Sequence, residues 1–469
     1  MREFQPARRH EELGGEFFDP VRPADFPKTI LRHRDQRWAE RLGLGALSEE
    51  EWVRHFGRFE PLSGSFEQPL ALRYHGHQFR SYNPDLGDGR GFLFAQCVDP
   101  VDGRLLDFGT KGSGRTPWSR GGDGRLTLKG GVREVLATEM LEALGVYTSK
   151  SFSLVETGEE LYRGDEPSPT RSAVLVRLSH SHIRIGTFQR LAYLEDPGNL
   201  RRLVEYSITN YYPELTDAPD PAAALLERVV KEVARLGAQW IAAGFVHGVL
   251  NTDNINITGE SFDYGPWRFL PHYDPDFTAA YFDETGLYSF GRQPDTLAWN
   301  LTRLAECLVP LSSIEALEPV LNTVWPAFRA ELPRQILRRL GLKPRDTERD
   351  SAFLSALFGF LNESKAPYEQ FFFDWRGGAL SAERAARSPA AEFYMRESFR
   401  AVADGLEGFA PAAEVNLDHP YFGRERPRTM LIEEMEAVWA PIAERDDWGE
   451  LARVLGEIAE MREAYGVTV

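Results

Sequence analysis

The segment FVHGVLNTDNINITGESFDYG, residues 245–265, constrains this chain more than any other. The residues before it, DPAAALLERVVKEVARLGAQWIAAG, place apolar side chains at helical spacing, with a proline near the start and a glycine at the end. That apolar stripe consists of Leu226, Val229, Val230, Val233, Leu236 and Trp240. We therefore predict a long helix that delivers the chain into a loop carrying His247, Asp253, Asn254 and Asp263.

The spacing of this loop resembles the catalytic loop of kinases that act on small molecules. Those enzymes carry HGDxxxxN followed by an aspartate on a strand; the asparagine and the last aspartate hold the metal, and the first aspartate takes a proton. Here Asn254 lies seven residues after His247, and Asp263 matches the second aspartate. Val249 stands where the base is expected. The metal-binding half of the pattern is present, and the position of the base is vacant.

Asp253 is the candidate base because it is the only acid between His247 and Glu260. Next to Asn254, its carboxylate is expected to face the same cleft and to accept a proton from an incoming hydroxyl. One alternative is a loop-capping aspartate, which is common in sequences such as NTDN. Another alternative, which Val249 favours, is a pseudokinase that binds nucleotide as a scaffold without catalysis.

The segment LGDGRGFLF contains a glycine-rich turn before a predicted strand. Gly87 and Gly89 allow backbone N–H groups to approach a phosphate, and Arg90 adds a positive charge. A plain hairpin turn is the alternative. Lys111 ends the strand LLDFGTK about twenty residues later, where the small lobe of a kinase has the lysine that pairs with phosphates. A solvated surface lysine is the alternative for that residue.

A predicted helix, GGVREVLATEMLEALG, follows the lysine strand, as in a kinase small lobe. An ion pair between Lys111 and Glu134 would hold the ammonium group towards the nucleotide. Glu139 lies about 140° further around the helix axis, so the two glutamates cannot serve the same role; we favour Glu134. The triplet DFG at residues 107–109 lies upstream of the lysine, so we interpret it as a coincidental match to the kinase metal motif.

Two further segments supply candidate contacts to the nucleotide. Arg177 and Arg184, in VLVRLSHSHIRIG, carry guanidinium groups that suit phosphate oxygens, with surface or structural arginines as the alternative. Asp123 and Gly124 lie in a loop just before the glutamate helix. We expect that loop to face the nucleotide.

The remaining histidines and cysteines are interpreted as structural. The HxH pairs have no accompanying carboxylate or cysteine cluster, so hydrogen bonding is favoured over metal binding. These pairs are His75 with His77 and His180 with His182. Cys97 and Cys307 are the only cysteines, a number that excludes a disulfide framework and fits the reducing cytoplasm.

Charge and hydropathy narrow the class of partners. Lysine and arginine total 54 against 71 acids, and the net charge of −17 repels a nucleic-acid backbone. No segment reaches the roughly 18 apolar residues of a membrane span, and the first residues, MREFQPARRHEELGG, lack the apolar core of a secretory signal. We therefore expect a soluble cytoplasmic protein that binds neither nucleic acid nor membrane.

The order of predicted elements indicates an α+β protein. LSEEEW predicts a helix capped by Ser48 with Glu51 closing a capping box, GFLFAQCV and LLDFGTK predict a hairpin, and the chain turns helical after about residue 196. This order predicts a protein-kinase-like two-lobed fold with an extension at each end. We assign an N-terminal extension to 1–65, a nucleotide-binding small lobe to 66–195, a large lobe with the catalytic and metal residues to 196–345, and a helical C-terminal extension to 346–469.

Across about residues 70 to 310 the sequence resembles the selenoprotein O family of kinase-fold protein adenylyltransferases. The motifs that carry the resemblance occur in order and are highly specific as a set. They are YHGHQF, LGDGRG, TKGSGRTPWSRGGDGR, VRLSHSHIRIG, HGVLNTDN, DYGP and YSFGRQPDTLAWNLTRLAE.

This resemblance implies that ATP binds flipped relative to ordinary kinases and that AMP passes to serine, threonine or tyrosine hydroxyls of proteins, with Mg²⁺ or Mn²⁺. It implies Asp253 as the base, Asn254 and Asp263 as metal ligands, and Glu134 as the partner of the lysine. The nucleotide-binding residues that it implies are Gly87, Gly89, Arg90, Lys111, Asp123, Gly124, Arg177, Arg184 and Asp263.

The sequence departs from the family at one place. Many members carry cysteine or selenocysteine in a C-terminal tail, and the last residues here, MREAYGVTV, contain neither. This departure argues against a redox switch built on such a tail. A small-molecule or protein kinase remains a further alternative, which the missing aspartate at position 249 disfavours.

Overall fold

The computed structural model describes residues 2–164 and 166–467, and its main feature is an antiparallel sheet of nine strands. Strands β5 with β6 and β12 with β13 form two small separate sheets. In the described residues the strands are β1 (Pro6–Ala7), β2 (Phe18–Pro20), β3 (Ile30–Arg34), β4 (Leu70–Leu72), β5 (Gly76–Gln78), β6 (Ser81–Asn83), β7 (Leu93–Val98), β8 (Leu105–Lys111), β9 (Leu126–Thr127), β10 (Lys150–Leu161), β11 (Thr170–Ser179), β12 (Phe245–His247) and β13 (Trp267–Phe269).

The two edge strands of the main sheet, β2 and β3, both come from the first part of the sequence. The order of the sheet is β2-β4-β7-β8-β11-β10-β3, with β1 beside β7 and β9 beside β11. Residues before 66 therefore contribute strands to the same sheet that carries Lys111, a role that the sequence did not reveal. The predicted hairpin of β7 and β8 is confirmed, with Cys97 paired opposite Leu106.

Helices make up most of the remaining chain. The α-helices are α1 (Gln36–Arg41), α2 (Glu49–Phe56), α3 (Leu128–Ala143), α4 (Ile185–Tyr193), α5 (Pro197–Tyr211), α6 (Pro221–Ala243), α7 (Gln293–Leu308), α8 (Ile314–Leu321), α9 (Val324–Leu340), α10 (Thr347–Ser364), α11 (Tyr368–Asp374), α12 (Ala382–Ala386), α13 (Ala391–Tyr394), α14 (Arg400–Glu407), α15 (Ile432–Arg445) and α16 (Gly449–Ala464). Short 3-10 helices cover Arg9–Leu13, Pro213–Leu215, Thr252–Asn254, Phe290–Arg292, Gly378–Ser381, Glu397–Phe399 and Pro420–Gly423.

The predicted helix signals are confirmed. Ser48 and Glu51 form the capping box of α2, with the Ser48 amide donating to Glu51 Oε2 at 2.8 Å. Helix α3 ends just before Gly145, which adopts a φ of +75° that few other residues tolerate. Helix α6 runs between Asp220, which caps its start, and Gly244, which is left-handed at its end.

Helix α6 is the central element of the largest hydrophobic core. Every side chain of its predicted apolar stripe is buried, because the helix packs against α7 and α9 on one side and the chain returns over it as β12. Burial of this kind contributes about 1.5–3 kcal/mol for each large apolar side chain. The helix thereby fixes the start of the loop that carries Asp253.

The C-terminal helices pack back onto the sheet half of the protein. Helix α16 lies against α3, and Arg462 of α16 donates to Glu139 at 2.8 Å and to Glu142 at 3.0 Å. The structure is thus a mixture of α- and β-elements, with a large antiparallel sheet and many helices. Within residues 2–164 and 166–467, we find no helix with the length and apolar character needed to cross a membrane.

Candidate active site

Lys111 lies at the centre of a buried cluster of charges. It is the last residue of β8, and its Nζ donates to Glu134 Oε1 at 2.5 Å and to Asp263 Oδ1 at 2.7 Å. Glu139, the alternative on α3, points instead towards Arg462. The order of elements along the sequence therefore corresponds to a real convergence: a strand lysine, a helix glutamate and a loop aspartate meet at one point.

Asp263 holds two positive side chains at once. Its Oδ1 also accepts a hydrogen bond from Arg177 at 3.0 Å, and its backbone adopts a left-handed φ of +64°. Burial alone would raise the pKa of this carboxyl, but the charges of Lys111, Arg177 and Arg90 outweigh it and hold the pKa well below its usual value. Asp263 is therefore ionised in the folded protein at neutral pH.

Arg184 is buried between aromatic rings and the glycine-rich turn. Its guanidinium carbon lies 4.2 Å from the centre of the Tyr74 ring and 5.2 Å from that of Phe262. One of its nitrogens lies 3.4 Å from Oδ1 of Asp88, a residue of the turn. The other oxygen of Asp88 accepts the Leu72 amide at 3.1 Å. Arg184 thus connects the segment that follows β11 to the glycine-rich turn.

Asp253 stands in the 3-10 helix Thr252–Asn254 with its carboxylate nearly buried. Its Oδ1 has no hydrogen-bond partner in the part of the chain that the structure describes. Burial raises the pKa of Asp253 to about 6, although Arg184 and Arg120 act in the opposite direction. A largely ionised carboxylate with a free oxygen is the form that a general base requires at neutral pH.

The neighbours of Asp253 hold its backbone in place. The Thr252 hydroxyl accepts the His77 amide at 2.7 Å and donates to Gln189 at 2.5 Å, while Asn251 accepts from the Tyr288 hydroxyl at 2.7 Å. A Cβ at Gly186 would stand 2.2 Å from the His75 carbonyl oxygen, so only glycine fits. These contacts hold the loop between helix α4 and strand β5.

A cleft of about 610 Å³ opens beside Asp253. Six of its lining residues were predicted from the sequence: Gly87, Gly89, Arg90, Asp123, Gly124 and Asp253. The carboxylate of Asp123 is held by Arg163 at 2.8 Å. Arg120 and Trp118 line the same cleft and were not singled out from the sequence. Trp118 packs directly over Gly87, where a Cβ would approach its ring to 2.5 Å.

Asn254 and Asp263 have the donor chemistry that a hard divalent cation requires. The Asn254 Nδ2 donates to the Val249 carbonyl oxygen at 3.1 Å, which leaves its Oδ1 free to bind. The Oδ1 of Asp263 accepts hydrogen bonds from Lys111 and Arg177, and its second oxygen accepts no hydrogen bond from the described residues. Amide and carboxylate oxygens suit Mg²⁺ and Mn²⁺, and Mg²⁺ sites commonly have only one or two protein ligands, with waters and phosphates completing the shell.

The residues interpreted as structural make structural contacts. Asp107, of the DFG triplet, accepts from Gln96 at 2.6 Å and from the His182 amide at 2.9 Å, away from Lys111. The other three histidines are hydrogen bonded through Nδ1: His75 with the Tyr82 hydroxyl, His77 with the Gln189 amide and His180 with the Tyr147 hydroxyl. Cys97 and Cys307 are both buried.

The sequence over residues 2–459 matches the profile of a family described as "Protein adenylyltransferase SelO". The chain belongs to the SelO family. A protein from Gloeobacter violaceus is 44% identical over 99% of this chain and 96% of its own length. A protein from Synechocystis sp. is 46% identical over 95% of both chains, and one from Trichormus variabilis is 43% identical over 95% of this chain and 93% of its own. Each of these relatives is named protein nucleotidyltransferase YdiU.

Membership of the SelO family confirms the resemblance and the expectation of an enzyme of the nucleotidyltransferase class. It also extends the match, which the motifs had placed at about residues 70 to 310, to nearly the whole chain. The edge strands and most of the C-terminal helices therefore lie within the region that the family profile matches.

Glu260, in the same loop of this SelO-family protein, makes stability depend on pH. Burial raises its pKa to about 7, although its Oε2 accepts the His180 amide at 2.9 Å. Because the folded state holds this proton more tightly than the unfolded state, stability falls as pH rises from about 4.5 to about 7. We expect Glu260→Gln to raise the free energy of unfolding by about 1–3 kcal/mol at pH 8, measured by urea denaturation.

The same variant supplies its own control at low pH. Near pH 4.5 the wild-type carboxyl is protonated in the folded state and about half protonated in the unfolded state, so the free energies of unfolding of the two proteins should differ little. The variant Glu142→Gln should behave oppositely at pH 8, because Lys150 and Arg37 outweigh burial and lower the pKa of Glu142 to about 2. A Glu260→Gln variant less stable than wild type at pH 8 would contradict this account.

Proposed function

We propose that this protein transfers AMP from ATP to serine, threonine or tyrosine hydroxyls of other proteins. The observation that carries the proposal is Asp253, which lines the same cleft as the glycine-rich turn and whose Oδ1 has no hydrogen-bond partner among the described residues, while Asp263 is engaged by Lys111. A base and a phosphate-binding surface thus share one cleft. Membership of a family described as protein adenylyltransferase supports this chemistry.

In this proposal the nucleotide lies flipped relative to an ordinary kinase, with its α-phosphate towards Asp253. Gly87, Gly89 and Arg90 bind it on one side of the cleft, and Asp123 with Gly124 on the other. Lys111, Arg177 and Arg184 provide positive charge for phosphate oxygens. Two arginines in addition to the lysine exceed what the kinase pattern requires, and this surplus fits a nucleotide in a different orientation.

The proposed reaction is an in-line displacement at the α-phosphorus. Asp253 accepts the proton of the acceptor hydroxyl as its oxygen forms a bond to the α-phosphorus. The bond from that phosphorus to the bridging oxygen of the β-phosphate breaks, and pyrophosphate leaves with the electron pair. Asn254 and Asp263 would hold Mg²⁺ or Mn²⁺, which supplies neutralisation of phosphate charge. Arg184 supports Asp253, because its charge favours the ionised carboxylate.

The same proposal assigns the architecture to a protein-kinase-like two-lobed fold. Residues 66–195 would form the nucleotide-binding lobe, and 196–345 the lobe with Asp253 and the metal ligands. The segments 1–65 and 346–469 would be extensions that pack on these lobes. The two buried cysteines and the acidic charge agree with a cytoplasmic protein that acts on other proteins.

Labelled ATP tests which phosphorus is attacked. With ATP labelled at the α-phosphate, we expect label to appear on protein in the presence of Mg²⁺ or Mn²⁺. With ATP labelled at the γ-phosphate, we expect none. Acid-stable label is read on a denaturing gel of the protein mixed with a cell extract, and UTP labelled at the α-phosphate distinguishes adenylyl transfer from transfer of another nucleotide.

The other outcomes point to the alternatives. Label from the γ-position alone would make the protein a kinase and overturn the proposal. No label from either position, with ATP still bound, would favour the pseudokinase scaffold that Val249 suggested. In the expected case, an Asp253→Asn control run beside the wild type should lose the α-label while ATP binding is retained.

A further inference from the structure

A second cavity lies away from the candidate active site. Its volume is about 1350 Å³, larger than the cleft at Asp253, and it is lined by parts of the sheet, of α6, of α9 and of the C-terminal segment. None of the predicted nucleotide or metal residues lines it. Three of its basic side chains, Arg338, Lys343 and Arg376, have no carboxylate within salt-bridge distance in the described part of the chain.

Arg376 is a buried charge without a direct counter-charge. Only 3% of its surface is exposed, and its nitrogens donate to the backbone carbonyls of Arg338, Arg339 and Tyr465. Most other buried arginines bind a carboxylate: Arg339 with Glu369 is the nearest example. Burial, with the charge of Arg339 acting in the same direction, lowers the pKa of Arg376 to about 10. The positive field of Arg376 is therefore left largely uncompensated beneath the cavity.

Arg338 presents a fixed guanidinium to the cavity. Its Nη2 donates to the carbonyl oxygens of Leu144 and Gly145 at the end of α3, and its Nε donates to Gln335. Its Nη1 has no hydrogen-bond partner among residues 2–164 and 166–467. A Cβ on Gly145 would stand 1.7 Å from that nitrogen, so glycine is required for the guanidinium to sit there. Arg338 is exposed to the cavity although protein surrounds it on most sides.

Lys343 completes the set from an exposed position on the segment after α9. The acids of the same cavity do not cancel this charge. Glu142, Glu232 and Asp102 are in ion pairs with other basic residues, Lys150, Arg228 and Arg41. Glu260 accepts the His180 amide at 2.9 Å. Glu414 is exposed and raises the pKa of Arg376 without forming a direct pair. Among the residues that the structure describes, a region of positive charge without paired carboxylates thus persists in a protein whose net charge is −17.

We propose that this cavity is a binding site for a small anion of the phosphate class, held by Arg338 and Lys343 over the buried charge of Arg376. Guanidinium and ammonium groups bind phosphate oxygens through charge-assisted hydrogen bonds. The site lies where α3, α9 and the C-terminal segment meet. Because α3 also carries Glu134, the ligand would join the C-terminal helices to the helix that positions Lys111.

Calorimetric titration with inorganic phosphate tests the site on the full-length protein, at constant ionic strength. We expect saturable binding to wild type, weakened about tenfold or more in Lys343→Gln and in Arg338→Met, since each loses a charge-assisted contact. Arg334→Gln is the matched control, because Arg334 lines the same cavity but is paired with Glu331 at 2.8 Å. Lys111→Met is the control for phosphate bound at the candidate active site.

Both controls should bind phosphate within about twofold of wild type. Because Lys343 is exposed, Lys343→Gln should not destabilise the protein. That variant therefore still tests the site if Arg338→Met lowers the melting temperature. The proposal is overturned if wild type shows no saturable binding, or if Arg334→Gln weakens binding as much as Lys343→Gln does. It is also overturned if Lys111→Met abolishes binding, because the phosphate would then occupy the candidate active site.

Discussion

Asp253→Asn is expected to lower the rate of AMP transfer by about 10²- to 10⁴-fold at pH 7.5, the usual contribution of a general base. The amide keeps the shape of the side chain but cannot accept the proton of the hydroxyl. Binding of ATP should change little, because asparagine has nearly the same size as aspartate and the Oδ1 of Asp253 accepts no hydrogen bond from the described residues that the substitution would break. Single-turnover transfer with α-labelled ATP measures the rate, and calorimetry measures the binding.

Two controls accompany this variant. Asp85→Asn removes an exposed carboxylate near the glycine-rich turn and should transfer AMP at the wild-type rate. Asp253→Asn should also be more stable than wild type at pH 7.5, because it no longer holds a buried charge whose pKa is raised to about 6. An inactive variant that is less stable than wild type would point to disrupted structure, and an active variant would remove Asp253 from the mechanism.

Asp263→Asn is expected to lower the rate by about 10²- to 10³-fold or more, the cost of losing a group that acts on charge at the reacting phosphate. It should also lower the melting temperature. In wild type, Oδ1 of Asp263 neutralises Lys111 at 2.7 Å and Arg177 at 3.0 Å, and an amide leaves both cations less compensated. Unlike Asp253→Asn, this variant should bind ATP with Mg²⁺ or Mn²⁺ more weakly.

Asp253→Asn and Asp263→Asn are expected to differ in ATP binding and in melting temperature, and this difference distinguishes a base from a metal ligand. Asp276→Asn changes an exposed aspartate later in the sequence, and it should leave both the rate and the melting temperature unchanged. Raising the Mn²⁺ concentration should restore part of the Asp263→Asn rate if the residue binds metal, and none of the Asp253→Asn rate. Equal rescue of both variants would contradict the different roles assigned to them.

The contact between Lys111 and Glu134 was predictable because both residues lie at fixed positions on regular elements. Lys111 ends a strand that the segment LLDFGTK predicts, and the period of the helix separates the directions of Glu134 and Glu139. The sequence could not reveal that Asp263 would bind both Lys111 and Arg177, because that contact depends on how distant segments pack. Arg120 and Trp118 were missed because a loop arginine and a loop tryptophan carry no spacing signal.

The fold was predicted less evenly. Hairpins and capped helices follow from local sequence, as the box at Ser48 shows, whereas strands of two to five residues do not. The strands Phe18–Pro20 and Ile30–Arg34 are too short to show alternation, and their partners lie far along the chain. Their assignment depends on tertiary pairing, which a single sequence does not display.

Those two short strands also set an order of events during synthesis. Phe18–Pro20 and Ile30–Arg34 leave the ribosome before the strands they pair with, yet they occupy opposite edges of the sheet; Ile30–Arg34 pairs with Lys150–Leu161. The two edge strands of the sheet are thus synthesised before its central strands. Until the middle strands emerge, the edge strands have no partner, so the nascent chain depends on long-range closure that is intrinsically slow. The sheet around the strand that carries Lys111 is therefore completed late in folding.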